Sequence, residues 1–415
     1  MPLPRRSHGQ SQHSPSLWRN RDYLRLWSGQ TVSAVGTEVS NLAFPLLFLA
    51  LTGSPAQAGF AAALRSVPYL IFGLPAGALV DRWNRKRTMI LCDLGRALAV
   101  GSIPIAYEFR HLALPHLYLV AFVESSLAVF FTLAETAALP NVVPQALLPR
   151  ATAQNNTALG VTALIGPPLG GTLYAVGRML PFVTDAISYV CSVIGLLFVR
   201  GGFQQARPLP RRSVRTEIGE GLGWLWGQPL IRAMALLTAG LRFTRGEALI
   251  LIVLAQRQGA SSRTIGVIFA AGGIGTILGS LWSPVIQRRF SFGRAISGAC
   301  WWLALSFLLY AAVPKPLALG AIFALRSLVP PVYDTVQVSY RLALIPDVLQ
   351  GRVNSVFRLM TSSLQPIVLA LTGWLLQVAG GTVTILVFSG WFVMLALAAT
   401  LNPHVRTAPP RAESQ

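Results

Sequence analysis

The sequence predicts an all-α membrane protein of twelve transmembrane helices, arranged as two six-helix bundles related by pseudo-twofold symmetry. Composition is the first reason: 53% of the residues are hydrophobic and 12% charged, against roughly 25% charged in a soluble domain. An internal repeat is the second. Gly73, Gly77, Leu79, Lys86 and Arg87 are answered 202 positions later by Gly275, Gly279, Leu281, Arg288 and Arg289. The same offset carries Pro144, Leu147 and Arg150 onto Pro346, Leu349 and Arg352, and Leu169, Gly171 and Leu173 onto Leu371, Gly373 and Leu375. Tandem halves of this size are too long for a solenoid repeat and suit two parallel bundles. The third reason, the charge of the loops, follows from the order of the elements.

A membrane helix needs about 20 mainly apolar residues. Such runs fall near 29–51, 57–80, 88–107, 117–138, 154–176, 181–199, 230–254, 264–286, 294–313, 317–341, 354–378 and 382–401. They divide the chain into a tail (1–21), a first bundle (22–200), a linker (201–228), a second bundle (229–402) and a closing tail (403–415). Residues 1–20 are polar, with no apolar core or small-residue cleavage site, so no removable signal peptide is expected. The linker begins rich in Gly, Pro and Arg and reads as flexible. It ends in EIGEGLGWLWGQP, which suits either a short helix in the membrane interface or a segment docked on the bundle. Cys92, Cys191 and Cys300 lie within apolar runs and suggest packing residues rather than a disulfide framework.

The net charge of +20 is distributed by loop. One side receives Arg5, Arg6, Arg19, Arg21, Arg82 to Arg87, Arg150, Arg200 to Arg215, Arg288, Arg289, Arg352, Arg406 and Arg411. The other receives only Arg110, Arg178, Arg257, Arg263 and Lys315. The positive-inside rule places the first set, and both termini, in the cytoplasm. Nucleic acid is excluded as a partner, because no basic surface interleaved with aromatics is present.

The segment GALVDRWNRKR after the second run resembles the signature loop of the major facilitator superfamily, matching at Gly77, Leu79, Asp81, Arg82, Arg85 and Lys86. It departs at Val80 and at Asn84, where glycine is usual and where asparagine tolerates left-handed backbone. Within that superfamily, AVGTEVSNLAFPLL, PFVTDAISY, EGLGWLWGQPLIR and IPDVLQGRVNSVFR resemble bacterial drug, macrolide and siderophore exporters. GVTALIGPPLGG in the fifth run is similar to an antiporter signature through Gly160, Gly166, Pro167 and Gly170, with Thr162 in place of a glycine. The resemblance implies a plasma-membrane transporter working by alternating access. It also implies a gate in which Asp81 engages the start of the eleventh helix, near Arg352 and Asn354, in the outward-open state.

Ionisable residues inside a bilayer are costly and point to function. Glu38, near the middle of the first helix, must be protonated, face a wet cavity or find a partner on another helix, which makes it the candidate proton site. Asp93 and Arg96, three apart, form a structural pair. Glu124 and Arg326 occupy repeat-related positions and are expected to line a central cavity from opposite sides, with Glu135 nearer the cytoplasmic end. Pro330 and Pro331 break the tenth helix ahead of Tyr333, Asp334 and Gln337. Arg242 and Arg245 share a face of the seventh helix with Glu247 nearby, a like-charged pair that wants an anion or an acid. Asp185 is expected to cap or anchor near the outer surface. The small pairs Gly73/Gly77 and Gly275/Gly279 should let helices approach closely, and Gly166, Pro167 and Pro168 should break the hydrogen-bond ladder of the fifth helix, giving a kinked surface with Gly170 and Gly171 thinning its face.

The reading is a secondary active exporter, proton-coupled, of a small amphipathic organic compound, acting as a monomer among membrane lipids with no cofactor and no metal. Lys86 and Lys315 are followed by Arg and Pro, so no GxxxxGK[ST] phosphate loop exists to supply ATP hydrolysis. All five histidines lie in tails or an outer loop, and no HExxH, CxxC or GxSxG string occurs, which disfavours the alternative of a membrane enzyme. Nutrient uptake by the same fold is the remaining alternative. Phe44, Tyr69, Phe131, Trp301, Trp302 and Tyr333 suit an aromatic or cationic cargo, whereas Arg242 and Arg326 suit an anionic siderophore.

Overall fold

The computed structural model describes residues 17–73, 75–200, 203 and 214–408. The tail with Arg5 and Arg6, the linker residues 201, 202 and 204–213, and Arg411 lie outside the described residues. A short 3-10 turn, Leu17–Arg19, precedes α1 (Arg21–Thr52), and α2 (Pro55–Phe72), α3 (Pro75–Val80), α4 (Arg85–Glu108), α5 (Leu114–Val142), α6 (Leu148–Val176) and α7 (Leu180–Phe198) complete the first half. The linker helix α8 (Val214–Gly227) leads to α9 (Pro229–Leu241), a 3-10 turn Arg242–Gly246, and α10 (Glu247–Arg257). Then follow α11 (Ser262–Arg289), α12 (Phe292–Ala312), α13 (Pro316–Ser327), α14 (Val329–Leu344), α15 (Asp347–Val378), α16 (Gly380–Leu401) and the short α17 (Pro403–Arg406).

Ten helical stretches among the described residues are long and apolar enough to cross a membrane. The runs expected at 57–80 and 230–254 are instead interrupted, the first between α2 and α3 and the second by the turn Arg242–Gly246. The expected break in the tenth run falls between α13 and α14, just ahead of Pro330 and Pro331. The fifth run is one helix, α6, which continues through Pro167 and Pro168. Each proline removes a donor, and the loss of single hydrogen bonds does not end a helix held by neighbours on both sides.

Local chemistry sets the ends. Asn20 accepts from the Tyr23 amide at 3.0 Å and caps α1, which stops at Gly53 with φ +63. Asn84 does not take up left-handed backbone. Its φ is −70, and its side chain caps α4 by accepting from the Arg87 amide at 3.0 Å, a role asparagine fills better than glycine.

Inside each half, helices pack through small residues. A methyl group on Gly36 would lie 2.1 Å from the Ser188 hydroxyl, so α1 sits tightly on α7. Gly275 and Gly279 admit the carbonyls of Ala324 and Leu328, at 2.0 and 2.1 Å from such a methyl, where α13 gives way to α14. Gly77 has no such neighbour within 4 Å, so the expected close packing belongs to the second-half pair.

The halves meet mainly through α2 with α15 and α6 with α11, and α2 also touches α10. Gly59 lies against Gly373, a methyl on it reaching 2.7 Å from the Gly373 Cα, and Gly171 lies against Ser262 and Gly266, with 2.3 Å to the Ser262 carbonyl. Gly171 and Gly373 are repeat-related, so one block of the internal repeat marks both main contacts between halves. Both lie at the ends of the helices opposite the basic loops.

Candidate functional site

Between the halves lies a cavity of about 410 Å³, lined by Glu38 and Asn41 of α1, Arg65 of α2 and Pro167 of α6, and from the second half by Arg245, Phe269 and Leu369. This size suits a small organic molecule. Glycines position its acid. A methyl on Gly166 would fall 2.3 Å from the Glu38 Cβ, and one on Gly170 would fall 2.7 Å from the Val39 carbonyl. Pro167 turns its carbonyl toward Gly266 of α11, 2.6 Å from a methyl built there. Gly160, by contrast, has no neighbour within 4 Å. The sequence GPPLGG therefore holds Glu38 on one side and the second half on the other.

Arg245 owes its place to the interruption between α9 and α10. Gly246 tucks under Thr372 and Phe388, the Trp391 indole N–H donates to the Gly240 carbonyl at 3.0 Å, and Phe243 stacks on Trp391 with ring centroids 4.5 Å apart. The tight turn so anchored aims its arginines inward. A second chamber of about 290 Å³, lined by Arg242, Arg245, Glu247, Arg326, Tyr333 and Asp334, lies in the second half. Arg245 lines both chambers, so they adjoin.

Behind the cavity each half carries a buried ion cluster. Arg96 binds Asp93 at 3.3 Å and Glu124 at 3.0 Å, donates to the Tyr189 hydroxyl at 2.7 Å and lies over that ring, 4.0 Å from its centroid. The other Glu124 oxygen takes Arg65 at 3.1 Å. In the second half Arg326, almost fully buried, binds Glu247 at 2.7 Å, donates to Ser306 Oγ at 2.8 Å and covers the Phe307 ring at 4.6 Å. The Tyr310 hydroxyl donates to Glu247 at 2.6 Å. Asp185 is wholly buried and accepts from Ser40 at 2.5 Å, tying α7 to α1.

Asp93 and Arg96 are thus together, within a larger cluster than a simple pair. Glu124 and Arg326 are not brought together; each is neutralised in its own half. At the basic end Asp81 pairs with Arg85 at 3.4 Å, while Arg352 pairs with Glu220 of α8; no ion pair joins Asp81 to Arg352 among the described residues. Arg85 also donates to the Ala137 carbonyl at 2.8 Å and Lys86 to the Val199 carbonyl at 2.7 Å, closing the ends of α5 and α7; Arg82 is exposed. Sequence reasoning missed Arg65, Tyr189, Tyr310 and Glu220. Arg65 had a signal, as a base in the middle of the second apolar run; the tyrosines had none.

Two helical bundles that meet at one end around a charged cavity define a polytopic membrane transporter. The profile of the Major Facilitator Superfamily matches residues 26–244, and the chain belongs to that family. It is 28% identical over 401 residues to the multidrug efflux pump Tap of Mycolicibacterium fortuitum, covering 92% of this chain and 96% of that protein. It is also 28% identical over 184 residues to macrolide efflux protein A of Streptococcus pyogenes, covering 44% of this chain and 45% of the other. A crystal structure of a bacterial homologue of the iron transporter ferroportin, in an inward-facing state, superposes with a TM-score of 0.74 at 16% identity, covering 93% of this chain and 98% of that one.

Proposed function

We propose that the protein exports small amphipathic organic compounds by alternating access, and that Glu38 exchanges a proton for the cargo. The observation that carries this is the shared cavity, in which Glu38 of one half faces Arg245 of the other. An acid held there by glycine contacts can take a proton or a cationic cargo in turn, and competition for one carboxylate is what couples opposite movements of the two. Similarity to efflux pumps along almost the whole chain supports the outward direction. The positive-inside rule puts the basic loops in the cytoplasm, so the described state, closed at the opposite end by Gly59–Gly373 and Gly171–Ser262, is inward-facing. In it Asp81 turns to Arg85 and Arg352 to Glu220; in the outward-open state Asp81 reaches the start of α15. The acting unit is one chain in lipid, with no cofactor or metal.

The test is uptake into inverted membrane vesicles. Acidifying the vesicle interior should drive accumulation of a cationic aromatic dye such as ethidium, and Glu38→Gln should remove the response to the gradient while leaving equilibrium binding of the dye measurable. A variant that still accumulates dye in proportion to the gradient would rule Glu38 out as the exchange site.

A further inference from the structure

We infer that the cargo is a zwitterionic amphiphile: its anionic group is held by Arg242 and Arg245, and its cationic part faces Glu38. This rests on the efflux reading and adds the substrate class. The lining charges of the two chambers sort into those already matched and those left over. Arg65 is matched by Glu124 at 3.1 Å and Arg326 by Glu247 at 2.7 Å. Neither Arg242 nor Arg245 forms an ion pair among the described residues. The Arg242 Nε is shut off from solvent and has no acceptor. Two guanidiniums three residues apart on one tight turn repel each other, and a buried donor without an acceptor costs about 1–3 kcal/mol, more when charged. An anion between them removes both penalties, and the guanidinium fork suits a carboxylate in particular.

The acids nearby do not replace that anion. Asp334 lines the same chamber, but no ion pair joins it to Arg242 or Arg245 among the described residues. Arg341 lies over the Phe357 ring at 3.8 Å, with its own Nε lacking an acceptor. Arg242, Arg245 and Arg341 are thus all without an ion pair among the described residues. Glu38, across the boundary with Asn41 beside it, shares its cavity with Arg65 and Arg245. A purely anionic cargo would draw those bases away from Glu38 and favour its protonation, so that cargo and proton would bind together rather than compete. A purely cationic cargo would leave Arg242 unanswered. A molecule with a cationic end at Glu38 and an acidic end at the Arg242–Arg245 turn keeps the exchange and matches both chambers, with the stretch from Phe44 to Phe269 receiving its apolar body.

Rhodamine B and its ethyl ester test this directly, because they share one cationic aromatic frame and differ only in a carboxylate. With the purified full chain, fluorescence polarisation should show at least tenfold tighter binding of the acid, the ratio that corresponds to about 1.4 kcal/mol and the lower end of a charged hydrogen bond. Arg242→Gln and Arg245→Gln should each bring the affinity for the acid close to that for the ester measured on the same variant, and Arg245→Lys should keep part of the preference. A thermal unfolding midpoint in detergent equal to the parent's certifies that each variant is folded. Equal binding of the two dyes, binding of neither, or a preference that survives both glutamine variants overturns the inference. If the ester alone is exported with gradient coupling through Glu38, the efflux reading stands and this one falls; if the acid is preferred but no gradient drives it, the reverse holds.

Discussion

At Glu247 and Arg326 a full ion pair sits almost without water, and its surroundings explain how. Arg326 satisfies its donors on Glu247, Ser306 and the Leu303 carbonyl, and three aromatic rings cover it. Glu247→Gln removes the countercharge and should destabilise the fold by about 3–5 kcal/mol, because the remaining guanidinium is stranded. The double change Glu247→Leu with Arg326→Met should recover most of that loss, since apolar side chains of similar volume need no partner there. Thermal unfolding in detergent reads both, and a single variant as stable as the parent would contradict the account. Sequence reasoning singled out Arg326 and set it opposite Glu124 across a central cavity; in the structure it lines the second chamber and pairs with Glu247. Repeat symmetry places two residues at equivalent positions in different bundles, and equivalence under a twofold does not bring them into contact. The true partner stands 79 residues away in the chain, a separation that no local pattern reveals. Arg65 was legible as a lone base in an apolar run; that it joins Glu124 to the cavity was not.

Among the helices, α6 is the one whose sequence most directly sets the site. Gly166 and Gly170 bring α1 close, and the neighbouring Gly171 and Pro167 face α11 of the other half. Gly166→Ala places a methyl 2.3 Å from the Glu38 Cβ, so α1 must shift and Glu38 with it. Transport should fall at least tenfold with membrane insertion unchanged, whereas Gly160→Ala, with nothing within 4 Å, should transport normally. Equal rates for the two variants would contradict this role for the motif. The glycines and prolines of α6 are plain in the sequence, but which helices they bring close is not. A proline announces a missing donor, and only the packing on either side decides whether the helix ends. The converse holds for α9 and α10, where hydrophobic length concealed an interruption flanked by Gly240 and Gly246. Length and composition do not register where the hydrogen-bond ladder changes pitch.

In the whole molecule, the pseudo-twofold is kept in packing and lost in chemistry. Gly171 and Gly373 hold equivalent interfaces, whereas Asp81 and Arg82 correspond to Ser283 and Pro284, which lie inside the uninterrupted α11. Architecture was legible because hydrophobic length and glycine spacing repeat; the state of the molecule was not, because one sequence must encode both. Alternating access requires that the two ends move oppositely around the Glu38 cavity. Spin-label distances test this most directly, in a Cys191→Ser background that removes the exposed native thiol. One pair at Leu51 and Val378 reports the end that is closed here, and a second at Leu79 and Leu344, all four exposed, reports the basic end. The account predicts a second population in which the Leu51–Val378 distance lengthens as the Leu79–Leu344 distance shortens, with the two changes equal in population under every pH and cargo condition. A Leu51–Val378 distance that never lengthens in membranes that transport, or one that changes independently of the other pair, would contradict it.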